Sequence, residues 1–187
     1  MKIFITGGLG SIGAYIIKIL LNQGHEVHAI VRSLAKAKPL SHPKLHLFEG
    51  DLREEQLVLK AMEGCEQMYH LAAFAKVWSK NEEDFFNLNV KLTEDLFHAA
   101  HKSGIKKIVF TSTAGVFGPS ITGIINEDKS RDLPFFNSYE ATKSQAEDIV
   151  KDFISTHNME IVIVSPTRVY GPILLGEVAA ITMMIDK

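Results

Sequence analysis

MKIFITGGLGSIG, residues 1–13, decides the fold of this chain. An apolar run, Lys2–Thr6, leads at once into a glycine-rich turn, and an amphipathic stretch begins at Ser11. This order predicts a strand, a tight turn and a helix. A helix N-terminus offers N–H groups and a positive dipole end to an anion, and glycines let a phosphate approach the backbone closely. The segment therefore predicts a phosphate-binding turn.

Two glycine spacings coexist in this turn. Gly8, Gly10 and Gly13 fit G-x-G-x-x-G, while Gly7, Gly10 and Gly13 fit G-x-x-G-x-x-G. Either spacing also occurs in ordinary turns, so the prediction depends on the strand before it and the helix after it. The candidate contacts with a dinucleotide are Gly7, Gly10, Ser11, Ile12 and Gly13.

Composition and charge exclude several functional classes. The chain has 187 residues, of which 46% are hydrophobic and 22% charged, as expected of a single globular domain. A formal net charge of −2 favours neither nucleic acid nor an anionic membrane as a partner. No apolar run reaches the length of a membrane span. Cys65 is the only cysteine, and the first strand leaves no room for a signal peptide, so we expect a cytoplasmic location.

Short apolar runs alternate with helical patterns along the chain. The predicted strands are Lys2–Thr6, Glu26–Val31, Leu45–Glu49, Gln67–Leu71, Lys107–Thr111 and Glu160–Ser165. The predicted helices are Ser11–Gln23, Glu54–Met62, Phe85–Lys102 and Ser138–His157. This alternation predicts an α/β fold with a doubly wound parallel sheet of Rossmann type. The long irregular segment 115–137 predicts a loop that lines a site.

The end of the chain opens an amphipathic pattern that stops without a cap or closing strand. We therefore expect residues 1–172 to form a dinucleotide-binding domain and residues 173–187 to begin a truncated C-terminal substrate region. A natural end in a frayed helix is the alternative.

Tyr139 and Lys143 lie four residues apart in a helical pattern and so share one face. An ammonium lowers the pKa of a nearby phenol, which can then exchange a proton with a carbonyl or carbinol oxygen. Thr113 follows the strand Lys107–Thr111, where open α/β sheets bind ligands, and can hydrogen-bond that oxygen. A solvated helix face and a capped turn are the alternatives. The predicted catalytic residues are Thr113, Tyr139 and Lys143.

Arg32 indicates which cofactor binds. An acidic residue about 20 positions after the glycine motif takes the 2′-hydroxyl of NAD, whereas an arginine accommodates the 2′-phosphate of NADP. Strand Glu26–Val31 is followed by Arg32 and Ser33 without a carboxylate. The sequence therefore predicts a preference for NADP(H) over NAD(H), with an ordinary surface arginine as the alternative. The 8 histidines show no metal-ligand spacing, so we expect no metal site.

Six segments carry a family resemblance over essentially the whole chain. They are Thr6-Gly-Gly-x-Gly-x-x-Gly13, His70-Leu-Ala-Ala73, Asn89-Val90, Ser112-Thr113, Tyr139-x-x-x-Lys143 and Pro166-Thr-Arg-Val-Tyr-Gly-Pro172. Together they resemble the NAD(P)-dependent epimerase/dehydratase family, the extended short-chain dehydrogenases/reductases. Val31-Arg32 with Phe110-Thr-Ser-Thr113 looks more like its dihydroflavonol-reductase-like branch.

The resemblance implies a role for each matching residue. Tyr139 would be the acid/base, Lys143 would bind the nicotinamide ribose and lower the Tyr139 pKa, and Thr113 would polarise the substrate oxygen. Ser112 is the second choice for that last role. The other implied cofactor contacts are Asp51 and Leu52 at the adenine, Leu71, Ala72 and Ala73 beside the central part, Asn89 with a structural and relay role, and Pro166 and Val169 at the nicotinamide.

The predicted function is the interconversion of a carbonyl and a secondary alcohol on a small molecule, with NADP(H). The resemblance also implies a homodimer of the full-length protein through helices Phe85–Lys102 and Ser138–His157. A nucleotide-sugar epimerase or dehydratase is the first alternative, since those enzymes resemble this chain equally at Tyr139 and Lys143. Most of them hold NAD through an acidic end of the second strand, so Arg32 is the feature that discriminates. A non-catalytic dinucleotide sensor is the second alternative, and the presence of Tyr139, Lys143 and Thr113 argues against it.

Overall fold

The computed structural model describes residues 1–35, 41–76, 78–120 and 123–169. The strands are β1 Lys2–Thr6, β2 Glu26–Val31, β3 Leu45–Glu49, β4 Gln67–His70, β5 Lys107–Thr111 and β6 Glu160–Val164. The helices are α1 Ser11–Asn22, α2 Glu55–Met62, α3 Glu83–Phe86, α4 Leu92–Lys102 and α5 Ser138–His157. A π-helical turn, Asn87–Lys91, joins α3 to α4, and a 3₁₀ turn, Ala114–Phe117, follows β5. The predicted region 173–187 lies outside the described residues.

The strands form one parallel sheet in the order β3-β2-β1-β4-β5-β6. The chain moves outward from β1 on one side and returns through β4 on the other, so strand order reverses between β1 and β4. Ligands of doubly wound sheets bind at such a switch point, outside the carboxyl ends of the strands. The glycine turn follows β1 there, and the predicted Rossmann-type fold is confirmed.

Two apolar layers cover the sheet because side chains alternate along each strand. Ile3 and Ile5 of β1 belong to the layer beneath α1, together with Val27 and Ala29 of β2. Phe4 points the other way, into a larger layer that contains residues of α2, α4 and α5. A continuous apolar run therefore serves both faces, as the sequence of β1 predicts.

The two helices assigned to a dimer contribute apolar residues to this larger layer. Leu92 and Leu96 of α4, and Ala146, Val150 and Phe153 of α5, are all buried there. Packing within one chain therefore explains them. Among the described helices, none combines the length and apolar content needed to cross a membrane.

Arg131 holds the irregular segment after β5 together. Its guanidinium donates to the carbonyls of Leu133 and Pro134, each at 2.7 Å, and also to the carbonyl of Gly115. The same group pairs with Glu140 Oε2 at 3.1 Å, and only 9% of the Arg131 side chain is exposed. A buried cation needs such partners, so Arg131 fixes this loop beside the start of α5.

Candidate active site

A cleft of about 400 Å³ opens at the carboxyl ends of β1, β4 and β5, beside the start of α5. The predicted residues that line it are Gly7, Gly10, Ser11, Ile12, Gly13, Leu71, Ala73, Thr113, Tyr139, Pro166 and Val169. Ala75, Thr111, Ser112 and Thr167 line it as well. The glycine turn, the residues assigned to the nicotinamide and the candidate acid/base thus share one cleft.

Two glycines of the turn are required by packing. Gly7 has φ +69°, and a Cβ there would lie 2.8 Å from the Ala72 nitrogen. A Cβ on Gly13 would collide with the carbonyl oxygen of Gly7 and lie 2.8 Å from Gly8 Cα. Side chains at these two positions would therefore separate α1 from β1 and β4.

Gly10 differs from its neighbours. A Cβ there would have the Gly7 carbonyl oxygen, at 3.2 Å, as its nearest described neighbour, and φ is −73°. Gly10 precedes α1, and no described side chain caps this helix. The first amides of a helix have no intrahelical partner and attract anions. The open side of Gly10 and this uncapped helix start fit a dinucleotide pyrophosphate.

A buried hydroxyl joins β1 to β4 beneath the turn. Thr6 Oγ1 accepts hydrogen bonds from the backbone N–H groups of Leu71 and Ala72, at 3.2 and 3.1 Å. It donates its own proton to Nδ1 of His70, at 2.7 Å. Ala72 does not line the cleft, and its backbone is held in this contact instead. Thr6 therefore positions the segment that forms one wall of the cleft.

The ring of His70 continues this chain of hydrogen bonds into α4. Its Nε2 lies 3.1 Å from Thr93 Oγ1, which donates to the carbonyl of Asn89 at 2.7 Å. Because the Thr93 proton is committed to that carbonyl, Nε2 is the donor and Nδ1 the acceptor. Burial and the neighbouring charge of Lys143 lower the pKa of His70 to about 3. His70 is therefore neutral and serves as a fixed link.

Asn89 connects the end of β4 to the start of α5. It lies in the π-helical turn, and its Oδ1 accepts from the Phe74 backbone N–H at 2.7 Å. Its Nδ2 donates to Thr142 Oγ1 at 3.0 Å, and Thr142 donates to the carbonyl of Ser138 at 2.7 Å. Single π turns often occur at functional sites. Here the turn places Asn89 inside the protein rather than in the cleft.

Tyr139 and Lys143 do not interact as the sequence predicted. The Lys143 ammonium lies 4.1 Å from the centre of the Phe110 ring, and Lys143 is only 1% exposed. Burial lowers the pKa of Lys143 to about 8, although the charge of Glu147 opposes this. Burial raises the pKa of Tyr139. The expected lowering of the Tyr139 pKa is absent because desolvation dominates there and the ammonium faces Phe110.

The two hydroxyls after β5 have different partners. Ser112 is buried, and its Oγ donates to Oε1 of Glu147. Thr113 caps the start of the 3₁₀ turn, and its Oγ1 accepts from the Gly115 backbone N–H at 3.2 Å. A hydroxyl that accepts from an amide keeps its own proton for donation. Thr113 is therefore the better donor to a ligand in the cleft.

Glu147 is a buried acid that the sequence interpretation missed. It is 5% exposed and lies one helical turn after Lys143. Its Oε2 pairs with Lys151 Nζ at 3.4 Å, while its Oε1 accepts from Ser112. The repeated four-residue spacing of Tyr139, Lys143 and Glu147 was the available signal, since it places all three on one helix face.

Arg32 follows β2 and Asp51 follows β3, on the side of β1 away from β4 and β5. Arg32 is exposed directly after β2, and its positive charge helps to lower the pKa of Asp51. The main cause is Arg53, which donates to both Asp51 oxygens at 2.8 and 2.7 Å and helps to bring that pKa to about 2. Leu52 packs against the larger apolar layer. The Asp51 carboxylate is therefore already paired within the chain.

The comparisons with known proteins identify the family of the chain. The family model described as "NAD dependent epimerase/dehydratase family" matches residues 3–186. The chain belongs to this family. Among its relatives, Sterol demethylase protein B from Methylococcus capsulatus is 31% identical over 175 residues, which cover 92% of this chain and 52% of the relative. Dihydroflavonol 4-reductase from Gerbera hybrida is 30% identical over 189 residues, which cover 91% and 52%.

A solved structure of the same architecture is similar as well. The UDP-glucuronic acid 4-epimerase from Bacillus cereus, crystallised in complex with NAD, is 26% identical and superposes with a TM-score of 0.83. The match covers 92% of this chain and 58% of the epimerase. This member of the epimerase/dehydratase family spans about half the length of the curated relatives it matches.

Proposed function

We propose that this protein is an NADP(H)-dependent oxidoreductase that interconverts a carbonyl and a secondary alcohol on a small molecule. The observation that carries the proposal is the cleft, in which the Thr113 hydroxyl and the Tyr139 phenol lie beyond the uncapped start of α1. The glycine turn would hold the pyrophosphate, and Pro166 and Val169 would border the nicotinamide. When bound, the cofactor supplies or accepts the hydride.

Tyr139 is the proposed acid/base. Burial raises the pKa of its phenol, so the group keeps its proton at neutral pH. A protonated phenol can donate to a carbonyl oxygen that gains negative charge as its carbon is reduced. Thr113 would hold the same oxygen through its hydroxyl. This arrangement favours reduction, since the phenol already carries the proton that the product oxygen needs.

Lys143 is the proposed partner of the nicotinamide ribose and of the Tyr139 phenolate. It lies one turn beyond Tyr139 on α5, so its long side chain can reach the cleft by turning away from Phe110. An ammonium there would stabilise the phenolate that remains after proton donation. Neutral His70 and ionised Glu147 would help Lys143 to stay charged, because His70 adds no positive charge and Glu147 adds a negative one.

Arg32 is the proposed determinant of NADP(H) preference. Titration of the chain with NADPH and NADH, followed by cofactor fluorescence, tests the assignment. Charge-assisted contacts contribute about 1.5–3 kcal/mol, so NADPH should bind roughly 10- to 100-fold more tightly than NADH. Arg32→Gln should remove that ratio, whereas the control Arg53→Gln should keep it, since Arg53 is committed to Asp51. Equal affinities in the unaltered chain would refute the assignment.

A nucleotide-sugar epimerase is the second candidate. The similarity to the Bacillus cereus epimerase with NAD favours it. An epimerase returns its cofactor to the starting oxidation state, whereas a reductase consumes NADPH as substrate is converted. Incubation with carbonyl compounds and, separately, with UDP-sugars separates the two by net loss of NADPH absorbance. Turnover of a UDP-sugar without cofactor loss would replace the reductase proposal.

A homodimer and a cytoplasmic location stay part of the proposal. Since the buried apolar residues of α4 and α5 pack within one chain, the dimer depends on other surfaces of these helices. Phe86 of α3 and Ile154 of α5 are exposed large apolar residues on that side of the sheet. The buried free thiol of Cys65 is compatible with a reducing compartment.

A further inference from the structure

A second group of chemistry-bearing side chains lies away from the cleft, at the amino ends of β2 and β3. Glu26 and His28 are two residues apart on β2, so their side chains share one face. His46 of β3 is the register partner of His28 across the strand pair. The parallel pairing therefore brings a carboxylate and two imidazoles together on the face that α2 covers.

The spacing of their ligand atoms matches a tetrahedral metal site. Oε1 of Glu26 lies 3.2 Å from Nε2 of His28 and 3.4 Å from Nε2 of His46. All three atoms lie within 4.8 Å of one another. Zinc binds nitrogen and oxygen at about 2.0–2.2 Å, which separates two tetrahedral ligands by roughly 3.3–3.6 Å. Both measured distances are near that separation.

The environment of His28 fixes which nitrogen is free to bind. Only 8% of its side chain is exposed, and its Nδ1 lies 2.8 Å from the carbonyl oxygen of Ala61. A carbonyl can only accept, so Nδ1 carries a proton there, and Nε2 is the nitrogen that faces Glu26 Oε1, at 3.2 Å. Metal-bound histidines commonly donate their second N–H to a backbone carbonyl in this way.

A proton or an ammonium satisfies only part of this group. A proton on His28 would link that ring to Glu26 but would leave His46 outside the bond, because one proton bridges two atoms. Lys2 Nζ lies 3.4 Å from Glu26 Oε1, but its flexible side chain is partly exposed and can move away. A divalent ion satisfies all three groups at once.

We propose that Glu26, His28 and His46 bind a divalent transition metal, with Zn²⁺ the best match to two imidazoles and a carboxylate. Solvent or an added ligand would take the fourth position, since Glu26 and His46 are 39% and 48% exposed. Within the described sheet, β3 is an edge strand that pairs with β2 alone. The ion would therefore crosslink the edge of the sheet and leave the cleft unchanged. The linear sequence conceals the group because the two histidines lie 18 positions apart, and only strand pairing makes them neighbours.

Calorimetric titration of the 187-residue chain with ZnSO₄ tests this site. We expect one equivalent to bind, and His46→Gln to weaken binding at least tenfold. His42→Gln is the matched control, since His42 is exposed four residues earlier and should leave affinity unchanged. Equal zinc affinity in His46→Gln and the unaltered chain would overturn the proposal.

Two further measurements keep the result interpretable. Without zinc, His46→Gln and the unaltered chain should melt at the same temperature, which would show that the fold is intact. With zinc, only chains that keep His46 should melt higher. The rings of His101 and His157, 4.9 Å apart, are another histidine pair to test. Loss of zinc binding in His157→Gln but not in His46→Gln would assign the metal to that pair and refute ours.

Discussion

Alanine at Gly10 and, separately, at Gly13 should distinguish two reasons for which the turn needs glycine: close backbone packing and the close approach of a phosphate. At Gly13 the new Cβ meets backbone atoms: the carbonyl oxygen of Gly7, and Gly8 Cα at 2.8 Å. Backbone cannot rotate away as a side chain can, so the cost should lie near the upper end of the 1–3 kcal/mol typical of overpacking, about 3 kcal/mol. With a urea dependence of about 2 kcal/mol per molar, the unfolding midpoint should fall by roughly 1.5 M.

Gly10→Ala should behave in the opposite way. Its Cβ comes no closer than 3.2 Å to a described atom, and φ of −73° suits alanine. Stability should therefore change by only about 0.5 kcal/mol, the small cost of alanine instead of glycine before a helix. The added methyl group would nevertheless occupy the place proposed for the pyrophosphate. NADPH should then bind roughly 10- to 100-fold more weakly, a loss of about 1.4–2.7 kcal/mol.

Urea unfolding and NADPH fluorescence titration of both variants decide the matter. Gly10→Ala should lose cofactor affinity without losing stability, whereas Gly13→Ala should lose both. Unchanged NADPH affinity in Gly10→Ala would refute the placement of the pyrophosphate at this turn. Equal stability losses in the two variants would show that packing, rather than ligand approach, explains both glycines.

Three other experiments test the acid/base, the role of Lys143 and the dimer. Tyr139→Phe should abolish NADPH-dependent turnover but leave the NADPH dissociation constant within about twofold, because the phenol takes part in proton transfer and contributes little to cofactor binding. Normal turnover would exclude Tyr139 as the acid/base. The pKa of Lys143 is about 8, so NADPH affinity should fall as pH rises through that value. Glu147→Gln should move the midpoint of this fall in affinity to lower pH, because it removes a negative charge that stabilises the ammonium. An unmoved midpoint in fluorescence titrations from pH 6 to 10 would refute this role. Light scattering should show a dimer of the full-length protein at micromolar concentration, and a monomer would remove the proposed interface.

Local sequence patterns were sufficient for the strands and for most of the fold. The bounds of β1, β2, β3 and β5 agree with the prediction, because short apolar runs bounded by turn residues have few alternatives in a sheet covered on both faces. The patterns failed at residues 85–102, which were predicted to form one helix. The structure inserts a π turn there, and Asn89 bonds Phe74 and Thr142, which are distant in sequence. Local periodicity contains no signal for such contacts.

The candidate site was predicted in its composition but not in its electrostatics. The glycines, Thr113 and Tyr139 line one cleft because each follows a strand end or begins a helix, and sequence order identifies those places. The charges depend on burial instead. Lys143 was expected near a partly ionised phenol, yet its ammonium lies over Phe110 while Tyr139 holds its proton. Spacing in sequence fixes the helix face that a residue shares but not the direction of a long side chain.

The buried polar groups around Lys143 form a consistent electrostatic arrangement. His70 cannot accept a second proton without adding charge beside the ammonium, and its two hydrogen bonds, from Thr6 and to Thr93, already require the neutral ring. Glu147 is the negative group that offsets the cost of burying the cation. The site therefore holds one ammonium over Phe110 and one phenol with its proton in place. A negative charge that develops on a substrate oxygen draws on both groups, whereas alcohol oxidation would first require Tyr139 to lose its proton against the effect of burial.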